Sequence, residues 1–260
     1  MKIKHLTVAI LTVVTAVLFT ERAIAMKGGT SILHFMLNAT MSASDVAPNA
    51  TGSVNAKRNQ QGDADNQRLA ISVAHLDAAT TYKLWATTVD NSNLTEVVEF
   101  TTDSNGAVAL NYVKKKTGKG KGGGDSLPLG LDPISKLRTL EVSDSATQTV
   151  LSTDITSPDS LQYLVKRAMT NDVLHADAAA SLRIKSSGNA DQLRIRASGL
   201  NPASSYFLAI NGNIADTLKS DAGGNLSVNA WPAGSPDVLD VTSLAILNSE
   251  SNSVLSTALP

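Results

Sequence analysis

A chain of 260 residues, 42% hydrophobic and 17% charged, has the composition of one or two globular domains and not of a disordered segment. The absence of cysteine excludes disulfides, thiolate metal sites, a lipid-modified cysteine and a cysteine nucleophile together. The 22 Lys and Arg nearly balance 23 Asp and Glu, for a formal net charge of −1.

Residues 1–25 read as an export signal. Lys2 and Lys4 precede the apolar stretch Leu6 to Phe19, and Ala23-Ile24-Ala25 supplies small residues for cleavage. The apolar stretch falls short of the roughly twenty residues that span a bilayer, and nothing further along resembles a membrane span. Cleavage after Ala25 removes three of the 22 basic residues and one of the 23 acidic ones, leaving 19 against 22. The expected address is secreted, periplasmic or at the cell envelope.

The rest of the chain repeats itself. Leu69-Ala-Ile71-Ser-Val73-Ala-His-Leu76 followed by Tyr82-Lys-Leu84 returns as Leu193-Arg-Ile195-Arg-Ala197-Ser-Gly-Leu200 followed by Tyr206-Phe-Leu208. Thr102-Asp103-Ser-Asn-Gly106 returns as Ser220-Asp221-Ala-Gly-Gly224, and Val150-Leu-Ser-Thr153 as Val254-Leu-Ser-Thr257. Shared order over so many segments points to tandem duplication, with one copy at residues 30–156 and the other at 160–260. A short polar stretch, Thr156-Ser-Pro-Asp-Ser160, lies between them.

Within each copy apolar residues alternate with polar ones, as in Leu193, Ile195 and Ala197, which is the period of a half-buried strand. Asp103 to Gly106 and Asp221 to Gly224 supply the residues that tight hairpin turns need. Short strands punctuated by turns predict an all-β sandwich or barrel.

Leu200-Asn-Pro202-Ala-Ser-Ser-Tyr206 resembles the Leu-x-Pro-x-x-x-Tyr corner of fibronectin type III and related immunoglobulin-like modules. Leu76 to Tyr82 matches it except that Ala78 stands where proline would. The resemblance implies two tandem immunoglobulin-like β-sandwiches in which Tyr82 and Tyr206 are structural, each hydroxyl bonding back to nearby backbone. The wider pattern is similar to modules of uncharacterised bacterial exported proteins, which imply an extracytoplasmic address.

The largest difference between the copies is the Lys/Gly-rich segment at residues 114–124. Lys114, Lys115, Lys116, Lys119 and Lys121 make it a candidate anion-binding loop, for an acidic polysaccharide, an envelope component or an anionic surface, against the alternative of a plain solvated connection. Gly118-x-Gly120-x-x-Gly123 within it matches the dinucleotide fingerprint in letters only. Pro128 and Pro133 follow closely, where the fingerprint needs a helix.

His34, His75 and His175 are scattered and unduplicated, without His-Glu-x-x-His or Gly-x-Ser-x-Gly spacing. Asp103 and Asp221 are explained by turns, and Asp63-Ala-Asp65 lacks the glycine and closing glutamate of an EF-hand. Asn38, Asn49, Asn93 and Asn225 open glycosylation sequences that matter only in a eukaryotic secretory pathway. No catalytic residue, metal site or cofactor is expected, nor sequence-specific nucleic-acid recognition. The expected function is a non-enzymatic binding or structural protein. The alternatives are a secreted hydrolase of polysaccharide with a dispersed carboxylate pair, and an anionic-surface binder acting through the lysine loop.

Overall fold

The computed structural model describes residues 31–114, 124–128, 130–155, 161–172, 175–187 and 190–259. The expected export signal, the stretch 156–160 and Lys115, Lys116, Lys119 and Lys121 lie outside the described residues. The fold is all-β. The first half carries β1 (Ile32–Ala43), β2 (Thr51–Gln61), β3 (Ala64–Ala74), β4 (Thr81–Thr88), β5 (Asn91–Thr101), β6 (Val108–Val113), β7 (Asp125–Ser126), β8 (Leu137–Ser143) and β9 (Thr149–Asp154). The second carries β10 (Leu161–Asn171), β11 (Ala179–Ser187), β12 (Ala190–Ser198), β13 (Ser205–Ile210), β14 (Asn213–Lys219), β15 (Leu226–Val228), β16 (Ser243–Leu247) and β17 (Ser253–Ala258).

Pairing follows the same scheme in both halves. β1 pairs with β2, β2 with β3 and β3 with β6, just as β10 pairs with β11, β11 with β12 and β12 with β15. The last residues of β1, Ser42 and Ala43, leave this sheet to pair with β9, which continues through β8 and β4 to β5. Thr170 and Asn171 of β10 do the same with β17, which continues through β16 and β13 to β14. A strand that serves two sheets turns the corner of the fold, so the sheets curl around an apolar interior to which both halves contribute.

The all-β expectation holds, but the two halves do not stand as separate sheets. β1 and β10 pair with each other, antiparallel, from Ile32↔Lys166 to Leu37↔Leu161. One sheet therefore runs through both halves in the order β7-β6-β3-β2-β1-β10-β11-β12-β15. The reason is the second edge of β1: β2 satisfies the N–H and C=O groups on one side only, and a long apolar strand with an open edge takes a further partner. The register is self-complementary. Phe35 sits opposite Tyr163, and the register runs symmetrically outward from that pair, so an approximate two-fold axis passes between them.

Alternation decides which face is buried. Leu33, Phe35 and Leu37 of β1 and Leu161, Tyr163 and Val165 of β10 point inward and are almost fully covered. Burying each such side chain contributes roughly 1.5–3 kcal/mol, so this seam is part of the core and not a loose contact between modules. The intervening residues of β11 and β12 face outward and are exposed.

The corners are built alike, almost atom for atom. The Tyr82 hydroxyl accepts from the Asp77 amide at 3.1 Å and the Tyr206 hydroxyl from the Asn201 amide at 2.9 Å. Thr102 Oγ1 donates to the Asp77 carbonyl and Ser220 Oγ to the Asn201 carbonyl, each at 2.6 Å. Gly106 and Gly224 have φ of +70° and +74°, and a Cβ there would stand 1.9 and 2.2 Å from the carbonyl oxygens of Leu76 and Leu200. Only glycine fits both the dihedral and that approach.

Candidate functional site

Three polar arrangements stand out, and only one is open to a ligand. The first is an internal latch in the first half. Arg58, inward on β2 and buried, donates through Nε to Asp65 Oδ1 at 3.0 Å and through a terminal nitrogen to Ser135 Oγ at 2.9 Å. Gln67 Nε2 donates to Asp65 and Asp132 at 2.8 and 2.7 Å, while its carbonyl accepts from the Ile134 amide at 2.7 Å. Lys114 Nζ lies 3.0 Å from Asp65 and 3.1 Å from Asp132. Burial alone would push the Asp65 carboxyl up, but hydrogen bonds from Arg58 and Lys114 outweigh it and hold the group below the ordinary carboxylate range.

The latch therefore assigns Lys114 an internal role. Its charge faces two carboxylates at the root of the lysine-rich segment, whose other end is tied down by β7 and by the Leu127 amide donating to the Val113 carbonyl at 3.1 Å. Asp65 and Asp132 are the carboxylates brought close by this arrangement, and both are held by cations and amide hydrogens.

The second arrangement lies between the halves. Arg138 of β8, largely buried, donates to the Leu239 carbonyl at 2.6 Å and to Asp240 Oδ1 at 3.1 and 3.2 Å. Nearby, burial pushes the Tyr163 hydroxyl up to about 12, against the opposing pull of Arg167, Arg58 and Arg138. These groups clamp the inner side of the β1–β10 seam.

The third is the outward face of the shared sheet. On the second half, Lys166, Arg183, Lys185, Arg194 and Arg196 all point outward and are exposed. Lys166 lies directly opposite Arg183 and Arg183 directly opposite Arg194, giving a row of three cations across three neighbouring strands. Lys57 and Arg68 form a further directly opposed pair on the first half. None of these seven is within ion-pair distance of a carboxylate among the described residues, and no Asp or Glu points outward on β1, β2, β3, β6, β10, β11, β12 or β15. A chain with more acids than bases thus presents one face on which every described charge is positive, with half-buried Ile32, Met36 and Leu164 between the two groups of cations.

Neutral amides fill the gaps between the charges. Asn38 and Asn55 are hydrogen-bonded to each other, Asn111 accepts from Arg68 at 3.3 Å, and Asn59 pairs with His34. His75 Nδ1 lies 3.3 Å from Thr51 Oγ1, far along the sheet from His34. Among the described residues no three His, Asp or Glu side chains gather as metal ligands, and no helix is long and apolar enough to cross a membrane.

Sequence reading missed this face because its cations are scattered along the chain and only register assembles them. A usable signal was present in Leu182-Arg-Ile-Lys185 and Leu193-Arg-Ile-Arg196, where two successive strands alternate aliphatic and cationic residues. Comparison of the chain with protein-family models, with curated proteins and with solved structures yields no match.

Proposed function

We propose that this protein is a non-enzymatic, extracytoplasmic binding protein that holds an anionic ligand on the outward face of its shared sheet. The observation that carries the reading is the charge pattern: seven exposed cations and no outward-facing carboxylate across eight described strands, Asp65 and Asp191 both lying on the inward side. Like charges directly opposite one another on a sheet are destabilising. The row Lys166, Arg183, Arg194 therefore costs stability in the free protein, and a bound anion offsets that cost. Such a surface also raises the local concentration of anions and steers them in.

The extracytoplasmic address rests on the character of residues 1–25, and the non-enzymatic reading on the internal engagement of the neighbouring carboxylates Asp65 and Asp132. Each half is read as a copy of one duplicated, immunoglobulin-like unit, supported by the matching corners at Tyr82 and Tyr206. The lysine-rich segment is then an accessory to the sheet face and not the primary site.

The test is retention on a sulfated resin. A K166Q/R183Q/R194Q variant is expected to elute at clearly lower salt than the wild type, and a variant with Lys115, Lys116, Lys119 and Lys121 changed to Ser to shift less. Unchanged elution of the triple variant, or a shift confined to the lysine-segment variant, overturns the assignment to the sheet.

A further inference from the structure

We infer that the anionic ligand is an acidic polysaccharide, one of whose charged sugar units seats in the depression between β11, β12 and β15. This rests on the anion-face reading above and adds the class of ligand and the place where it is read.

The depression has a volume of about 210 Å³ and is lined by Arg183, Lys185, Gln192, Leu193, Arg194 and Asn229. Two adjacent cross-strand pairs make its floor: Arg183 opposite Arg194, and Lys185 opposite Gln192. Neighbouring strands lie about 4.8 Å apart, and two residues along a strand span roughly 7 Å, so the four side chains rise from a patch about the size of one sugar ring. Asn229, the residue that follows β15, extends the lining beyond β12.

The chemistry of the lining selects among polyanions. Two guanidinium forks and one ammonium face a single spot, and guanidinium groups bind carboxylate and sulfate oxygens in pairs. Phosphate chains and lipid phosphates would satisfy these cations equally well. They would accept from the amide nitrogens of Gln192 and Asn229 but leave the amide carbonyls without a donor, because a phosphate ester oxygen only accepts. A sugar hydroxyl both donates and accepts. A ring carrying one acidic group among several hydroxyls therefore matches a lining of cations and amides together.

Two rival occupants lack their own signatures. Sequence-tolerant binding of single-stranded nucleic acid uses outward aromatic rings for base stacking. No Phe, Tyr or Trp points outward on these eight strands among the described residues, since Phe35, Tyr112 and Tyr163 all face the interior. Anchoring in a bilayer requires exposed large apolar side chains beside the cations. The apolar residues on the outward side of this sheet, Ile32, Met36 and Leu164, are half-buried, and the exposed Val46, Leu94 and Ile214 all lie off it.

The row of cations also gives the chain a direction. Lys166, Arg183 and Arg194 step across the strands at the spacing of the sheet, so the polymer runs perpendicular to the strands, from the depression toward the β1–β10 seam.

The experiment titrates the purified full chain with polygalacturonate, dextran sulfate, neutral dextran, polyphosphate and single-stranded oligothymidylate at one ionic strength. The variants are R183Q/R194Q and Q192L/N229L, each checked for an unfolding midpoint no lower than that of the wild type. Polygalacturonate or dextran sulfate is expected to bind more tightly than polyphosphate or oligothymidylate at equal charge, and neutral dextran not to bind. R183Q/R194Q should weaken the preferred polysaccharide about tenfold or more, as expected for losing charge-assisted hydrogen bonds. Q192L/N229L should weaken the polysaccharide several-fold while leaving polyphosphate binding unchanged. Which acidic polysaccharide binds better separates a carboxylate from a sulfate reader.

Equal binding of all the polyanions, with no effect of Q192L/N229L, would overturn the polysaccharide assignment and leave the anion face standing. Tighter binding of oligothymidylate would make the ligand a nucleic acid. No binding of any polyanion would overturn both readings. An unfolding midpoint lowered in R183Q/R194Q would show the two arginines to be structural, and would overturn their assignment to a ligand.

Discussion

The two halves agree wherever the chain must turn and disagree where their central hairpins end. Tyr82 and Tyr206, Thr102 and Ser220, and Gly106 and Gly224 make the same contacts in the same places. Along the row that crosses the two-fold axis, however, Gln67, Arg58 and Phe35 on one side meet Tyr163, Ser186 and Asp191 on the other. Geometry is duplicated and chemistry is not. The first half uses its polar inner row to latch the segment around Asp132 and Ser135, whereas the second half leaves the equivalent row small and places its cations outside. Turns and corners tolerate few residue types, so they stay alike, while a face that only has to remain polar is free to acquire a task.

The comparison breaks most visibly at the axis itself. Phe35→Ala is expected to cost about 3–5 kcal/mol, the usual price of emptying a buried aromatic site. Trp85 lies in the first half and Trp231 in the second, so W85F and W231F backgrounds report each half separately in urea. Coincident midpoints, both lowered by Phe35→Ala, are expected from a sheet that runs through the two halves. Separate midpoints, with only the Trp85 signal affected, would show that β1 and β10 do not couple them.

The latch gives the next largest effect and the sharpest asymmetry. Arg58→Ala should cost about 1–3 kcal/mol by leaving Asp65 without its main donor, whereas Ser186→Ala at the matching position should cost less than about 1 kcal/mol. Acid unfolding sharpens the same point. Because the folded Asp65 carboxyl is held below its ordinary value near about 3.9, its contribution is fully present above that pH and is lost as pH falls through the lower folded value. Asp65→Asn should remove part of the acid limb of the stability profile. Asp103 and Asp221, held low chiefly by the backbone amides of Ala107 and Asn225, remain as a background common to both halves.

The smallest expected effect tests the likeness of the halves. Tyr82→Phe and Tyr206→Phe each remove one hydroxyl hydrogen bond and should each cost about 1 kcal/mol. Equal losses in thermal unfolding would mean that the corners are energetically interchangeable despite Ala78 standing where the second copy has Pro202. A loss in one alone would mean that only one of them pins its half.

The sequence made much of this fold legible and little of the site. Alternation at Leu193, Ile195 and Ala197 identifies a half-buried strand from local pattern alone, and the Asp-to-Gly turns identify hairpins for the same reason. What alternation leaves open is the neighbour at a strand edge. The letters of Ile32 to Leu37 say which side chains are buried but not that residues near 165 lie beside them. The five closely spaced lysines are conspicuous in the letters, yet the described one, Lys114, faces Asp65 and Asp132. The cations that share an open surface are far apart along the chain and meet only through register.

The self-complementary pairing of β1 has a consequence for how the protein is assembled. When synthesis has passed residue 113, β1 has its β2 partner, but its other edge stays unfilled until β10 emerges about fifty residues later. A strand that pairs in this register with its own structural equivalent can pair in the same register with β1 of another molecule, because Phe35 on the axis would meet Phe35 as readily as Tyr163. Joining the two copies in one polypeptide makes the correct partner the nearest one, since tethering raises its effective concentration above that of any neighbouring chain. Carrying both strands on one chain thus converts a concentration-dependent encounter into an intramolecular one, for a protein that has no disulfide to make the join permanent.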